Sequence, residues 1–184
     1  TLVGRLDETL GDYHKDYPLR TGIQREELRS RLGLSQNMFS LVMSKITEEG
    51  KVVSENNQIR LLNHVVGLTN DQENTISNYL DLLRSDPYSP PTDYTIDEDL
   101  LNVLIDKGKV VRINETVISA AEAYKDMVDT IVSIISENGS IDAGQLRDKF
   151  GTSRKYALSM LEHLDQQHVT RRTGNERILR SEPR

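Results

Sequence analysis

Apolar residues in this chain form short helical stripes, each followed by a stretch in which they alternate with polar ones. Phe39, Val42, Met43 and Ile46 stand at i, i+3, i+4 and i+7, as do Ala157, Met160, Leu161 and Leu164, the spacing of one buried helix face. Ser35 and Ser153 precede these stripes and predict N-caps, because a serine hydroxyl accepts a free amide of the first turn. Beyond the second stripe, residues 169–173 and 177–180 flank Gly174-Asn175, a pair that tolerates the positive φ of a tight hairpin turn. A short capped helix running into a two-stranded hairpin predicts the ending of a winged-helix unit.

That ending recurs. A shift of 118 positions carries Phe39 onto Ala157, Leu28-Arg29 onto Leu146-Arg147, Leu32 onto Phe150 and Gly33 onto Gly151, an internal repeat without insertion. A third copy lies between them. Leu100, Leu101 and Leu104 lead into Gly108-Lys109-Val110-Val111, which matches Gly50-Lys51-Val52-Val53, and Asn114-Glu115 is its expected turn, with residues 116–119 as the return strand. Leading helices are marked by Val3, Leu6, Leu10 and Tyr13, by Ile76, Tyr79, Leu80 and Leu83, and by Val128, Ile131, Val132 and Ile135. A middle helix is expected over 25–32 and 143–150, in the first and last units. The pattern predicts a mainly α fold with small antiparallel β hairpins, a tandem array of three winged-helix domains at residues 1–66, 67–122 and 123–184. Asp86 to Asp93 carries Pro87, Pro90 and Pro91 and reads as an irregular loop within the middle unit.

Composition narrows the chemistry. The 184 residues hold 23 Lys and Arg against 29 Asp and Glu, a formal net charge of −6, and no Cys. Disulfides, thiolate zinc sites and cysteine nucleophiles are therefore excluded. No apolar run approaches membrane-spanning length, so no membrane partner is expected. There is no phosphate loop, GxGxxG, HExxH or GxSxG motif, which predicts no catalytic residues and no cofactor. Of His14, His64, His163 and His168 only the last two are close in sequence, and their spacing does not share a helix face, so no metal site is expected. Asp97-Glu98-Asp99 reads as a helix start whose carboxylates suit the dipole. The chain opens inside what reads as a helix and is expected to be a piece of a larger cytosolic protein.

Charge changes the picture at one place. Residues 123–184 carry ten Lys or Arg against nine Asp or Glu, and the first 122 carry thirteen against twenty. Arg154 and Lys155 open the last helix, where the dipole disfavours cations, and Arg171, Arg172, Arg177 and Arg180 lie on the hairpin. A winged helix sets that helix start beside its hairpin, so the cations are expected to converge on one face able to neutralise phosphates. The corresponding helices of the other units begin Gln36-Asn37-Met38 and Asp97-Glu98-Asp99. Those units read as spacers or protein contacts. Two rivals stand beside an RNA-binding reading: a DNA-binding regulator with its helix in a major groove, and a protein-interaction array. The last unit, with Val128, Ile131, Ala157, Leu161 and Leu164 as its own core stripe, is expected to fold and bind by itself.

Residues 151–179, with Leu146 to Phe150 before them, resemble the C-terminal end of bacterial selenocysteine-specific translation elongation factors, and residues 13–32 resemble an earlier stretch of the same family. The likeness extends over nearly the whole chain and is strongest from Gly139 to Leu179. It implies a row of winged-helix domains, the last binding the selenocysteine insertion (SECIS) hairpin of a messenger RNA. The family's GTPase and selenocysteyl-tRNA domains would lie upstream, outside this chain, with the ribosome a possible further contact and the cytoplasm its location. By position, Thr152, Ser153, Arg154, Lys155 and Tyr156 match the family's helix-start motif, and Thr170, Arg171, Arg172, Gly174 and Arg177 its hairpin motif. The resemblance implies that Arg154, Lys155, Arg171, Arg172 and Arg177 grip phosphates while Ser153, Tyr156 and the amides around Gly174 hold a base. Asn175 replaces the usual Asp of the turn. His168 stands where the other units have Gly50 and Gly108, a strained place for it if the backbone there is left-handed.

Overall fold

The computed structural model describes residues 1–180, which form two compact units, Thr1–Asn70 and the described residues from Asp71 onward. In the first, α1 (Leu2–Asp16), β1 (Ile23–Gln24), α2 (Arg25–Leu32), α3 (Gln36–Glu48), β2 (Val52–Glu55) and β3 (Gln58–Leu61) follow one another. The predicted stripe closes the core: Phe39, Met43 and Ile46 are buried with Leu6, Leu10, Leu28 and Ile59, and Val42 lies at the core's margin. Ser35 caps α3, its hydroxyl accepting from the Met38 amide. Gly33 ends α2 at φ 65°, a left-handed stop that glycine takes at no steric cost. The hairpin turns through Asn56 and Asn57, at φ 49° and 62°, the pair of positive angles that matches strand twist. The antiparallel sheet has the order β1-β3-β2.

The second unit contains α4 (Asn70–Ser85), α5 (Glu98–Asp106), β4 (Val110–Arg112), β5 (Ile118–Ala120), α6 (Ala121–Asn138), β6 (Ile141–Asp142), α7 (Ala143–Phe150), α8 (Arg154–Gln166), β7 (Thr170–Thr173) and β8 (Glu176–Leu179). Its last sheet, β6-β8-β7, repeats the topology of the first. The shift of 118 carries the pair Ile23↔Ile59 onto Ile141↔Arg177. The fold class is as the repeat predicts: mainly helical, with small antiparallel sheets, and a winged helix at each end.

Between them, residues 67–122 form two helices and a two-stranded ribbon, with neither a short middle helix nor a third strand. The return strand starts later than expected. Asn114 Oδ1 accepts from the Thr116 and Val117 amides, both at 2.9 Å, a side-chain turn that occupies the positions before Ile118.

The boundary expected near residue 122 lies inside the second unit. Ile113 and Val117, from the ribbon, are buried in the core of Met127, Ile131, Leu161 and Leu164, and Val128 is only partly buried there. His163 Nδ1 donates to the Ile113 carbonyl at 3.1 Å and its Nε2 accepts from the Tyr124 hydroxyl at 3.2 Å. Residues 123–180 therefore lack part of their own core. Burying one Ile or Val side chain is worth about 1.5–3 kcal/mol.

Candidate nucleic-acid interface

Two local signals place the cations. Gly151, at φ 63°, stops α7, and Ser153 then caps α8 by accepting from the Tyr156 amide, so Arg154 and Lys155 open the helix and are exposed. The wing turns at Gly174, φ 63°, between the paired residues Thr173 and Glu176. Gly174 in the first loop position suits the two-residue turn that demands glycine there. Between α7, α8 and the wing lies an open groove lined by Arg147, Arg154, Leu158, Glu162, Arg172, Asn175 and Arg177, among others.

Arg154, Lys155, Arg171 and Arg172 are exposed and form no ion pair among the described residues. Arg172 Nε donates to the Gly174 carbonyl at 2.8 Å, which steadies the guanidinium at the wing tip. Lys155 lies 5.9 Å from the Tyr156 ring centre. The first turn of a helix exposes free amides and partial positive charge. Cations added there without carboxylates leave a site whose electrostatics favour an anion.

Three expected contacts are placed otherwise. Arg177 is 3% exposed, and its Nε donates to Asp165 Oδ2 at 3.0 Å, while Asp165 Oδ1 accepts from the Thr170 hydroxyl at 2.7 Å. Strand alternation turns Arg177 to the same face as its cross-strand partner Arg172, so it lies in the floor of the groove with its guanidinium held by Asp165 rather than free at the surface. The same shift of 118 maps it onto the buried Ile59, a signal present in the repeat. Thr152 is buried and donates to the Tyr88 carbonyl at 2.6 Å. The Tyr156 hydroxyl donates to the Pro90 carbonyl at 2.5 Å. Ser153 and Gly174 remain exposed.

Nor do all the cations share one face. Arg172 pairs across the hairpin with Arg177, and Arg171 with Ile178, so successive side chains point to opposite faces and Arg172 lines the groove while Arg171 does not. Arg147 and Asn175 join the groove, although neither is among the expected contacts. Arg147 was legible in the repeat, as the match of Arg29, but carries an ion pair with Asp148 at 2.6 Å. His168 takes φ 59° where Gly50 and Gly108 take 67° and 64°, and its Nδ1 lies 2.6 Å from Arg180 Nη1.

The equivalent groove of the first unit is lined by Arg25, Ser40, Ser44, Thr47, Glu48 and Ser54, among others. Gln36, Asn37 and Ser54 stand there in place of Arg154, Lys155 and Arg172. That unit instead brings together His14 and His64, fifty residues apart, with rings stacked at 3.6 Å. Burial, then His64 and Arg60, lower the His14 pKa to about 4. Among the described residues no group of three metal-ligating side chains forms, and no helix is long and apolar enough to cross a membrane.

Two family models match, both described as elongation factor SelB, winged helix. They cover residues 8–61 and 133–179, together more than half of the chain. The chain is 27% identical to the selenocysteine-specific elongation factor of Desulfomicrobium baculatum, over 97% of this chain and 30% of that protein. It is 26% identical to that of Escherichia coli K12, over 94% and 30%. It thus spans about a third of the length of these relatives. The mRNA-binding domain of elongation factor SelB from E. coli, solved in complex with SECIS RNA, aligns with a TM-score of 0.47 at 22% identity, over 62% of this chain and 100% of that one.

Proposed function

Because the chain belongs to the elongation factor SelB family, we propose that it is the RNA-binding arm of a selenocysteine-specific elongation factor, and that its last winged helix binds the SECIS hairpin of a messenger RNA to recruit the factor for UGA recoding. The observation that carries the reading is the set of four exposed cations that form no ion pair among the described residues, Arg154, Lys155, Arg171 and Arg172, around the start of α8 and the wing. They lie within the residues that the last family model matches. In this reading the GTPase and the selenocysteyl-tRNA site belong to the rest of the protein, the winged helices supply no chemistry of their own, and the factor works in the cytoplasm at the ribosome.

The face of α8 also weighs against a major-groove reader. Its line toward the groove runs Arg154, Leu158, Glu162, so the positive charge ends after one turn and a carboxylate follows. A helix lying in a major groove has the phosphates of both strands along its flanks, so a carboxylate on its inward face is repelled. An RNA loop or bulge instead offers phosphates and a splayed base within a few ångströms of one another, which suits a cationic helix start beside a wing.

The test is a titration of the chain with an RNA hairpin from a message carrying an in-frame UGA codon, repeated over a range of salt. Four phosphate contacts give a slope of log K against log salt of about −3, taking the single-strand coefficient. A slope near zero, or duplex DNA competing equally, would refute the proposal.

A further inference from the structure

The proline-rich loop that follows α4 ends on the start of α8, and it holds that turn at two points. Thr152, two residues before Arg154, donates to the Tyr88 carbonyl at 2.6 Å. A hydroxyl has one hydrogen to give, so the Ser89 hydroxyl, 2.9 Å from Thr152 Oγ1, is the donor in that second bond. Two residues after Arg154, the Tyr156 hydroxyl donates to the carbonyl of Pro90 at 2.5 Å. The loop is fixed in turn: the Tyr88 ring packs on Phe150 at 4.6 Å and its hydroxyl donates to Asp126 at 2.6 Å. Pro87, Pro90 and Pro91 restrict the loop's own freedom, so little entropy is left for it to lose.

The winged-helix fold does not require this bracket. In the first unit the shift of 118 puts Leu34 and Met38 in place of Thr152 and Tyr156. Leu34 is half-buried against that unit's core and Met38 is 48% exposed, and α3 forms, capped by its serine, without either hydroxyl. That unit also has Gln36 and Asn37 where the second has Arg154 and Lys155. The bracket and the cations thus occur together, and are missing together, in two copies of one fold.

We infer that the proline-rich loop is a positioning device for RNA: Thr152 and Tyr156 act through Arg154 and Lys155, fixing the first turn of α8 so that both cations meet the RNA without further ordering. The inference rests on the RNA-binding reading of the groove. Thr152 and Tyr156 belong to the helix-start motif, yet their polar atoms face the protein. What they supply is preorganisation, which raises affinity by lowering the cost of ordering on binding.

The experiment uses the full chain and the same RNA hairpin. Thr152→Val with Tyr156→Phe removes two hydroxyls and almost no volume. This pair is expected to weaken binding about tenfold, the size of effect for lost hydrogen bonds that hold a contact, and to flatten the salt slope by about 0.7–1.4, the weight of one or two phosphate contacts. Thr152→Ser keeps the donor and is expected to bind like the parent. The decisive readout is coupling: Lys155→Ala should cost several-fold in the parent and less than about twofold in the double variant, because residues that act through one another are not additive. Equal Lys155→Ala penalties in the two backgrounds, or an unchanged slope and affinity in the double variant, would overturn the bracket and leave the RNA reading intact. Failure of the parent chain to bind the hairpin would sink both. If the double variant does not fold, Tyr156→Phe by itself carries the same coupling test.

Discussion

Arg172 and Arg177 face each other across one hairpin and do opposite things. Arg177 is 3% exposed and held by Asp165; Arg172 reaches solvent beside the groove. A buried charge deprived of its partner is costly, whereas an exposed one is worth little to folding. Arg177→Met is therefore expected to destabilise the second unit by about 3 kcal/mol, since it strands Asp165 half inside the protein. Arg172→Ala should change stability by less than about 0.5 kcal/mol while weakening the RNA hairpin by about 1–3 kcal/mol. Urea denaturation and hairpin titration of both variants separate the two roles. A stable Arg177→Met protein that has lost RNA binding would return Arg177 to the phosphate-gripping set. The first unit shows an alternative solution: Thr47, Val52 and Ile59 occupy the places of Asp165, Thr170 and Arg177, an apolar pair where the second unit has a hydrogen-bonded ion pair.

Elements are built where local chemistry and packing agree, and the glycines of the first unit mark two kinds of place. Gly11 lies within α1, and a Cβ added there would meet nothing within 4 Å. Gly22 precedes β1, and a Cβ there would lie 2.7 Å from the Ile59 carbonyl oxygen. β3 is the central strand, paired with both β1 and β2, and Ile59 is fully buried, so that carbonyl cannot retreat without moving the sheet. Gly11→Ala is expected to stabilise the unit by roughly 0.5–1 kcal/mol, the helix-propensity difference. Gly22→Ala should destabilise it by about 1–3 kcal/mol, as overpacking does. Denaturant midpoints of the two variants, compared with the parent, test the contrast. A neutral Gly22→Ala would mean that β1 is free to part from β3.

At the scale of the whole molecule the chain behaves as two bodies, and the second is not divisible where the repeat suggests. Ile113 and Val117 are part of the core around α6 and α8, His163 is tied to the Ile113 carbonyl, and the loop at Tyr88 to Pro90 holds the start of α8. A fragment of residues 123–184 loses all three. With two buried side chains worth about 1.5–3 kcal/mol each, and domain stabilities of only about 5–15 kcal/mol, it is expected to be largely unfolded or molten and to bind the hairpin at least tenfold more weakly than a fragment of residues 71–184. Circular dichroism melts and titrations of the two fragments decide this. Equal stability and affinity would restore the last unit as an autonomous binder.

Much of the fold was legible in the sequence because it is local. Ser35 and Ser153 announce helix starts, Gly33 and Gly151 announce stops, and the stripes at Phe39 and Ala157 repeat with the shift that the two sheets then reproduce. The site was legible as far as charge goes: Arg154, Lys155, Arg171 and Arg172 are exposed as residue type and position imply. What the sequence left open depends on contacts between residues far apart. Whether an arginine on a wing is a phosphate contact or a buried partner is decided by what faces it across the core, here Asp165 for Arg177. Whether Thr152 and Tyr156 point to a ligand or to the protein is decided by a loop more than sixty residues earlier. His14 and His64 meet for the same reason. Tertiary structure settles such cases because the cost of burying a polar group is set by the partner that satisfies it, and local pattern does not name that partner.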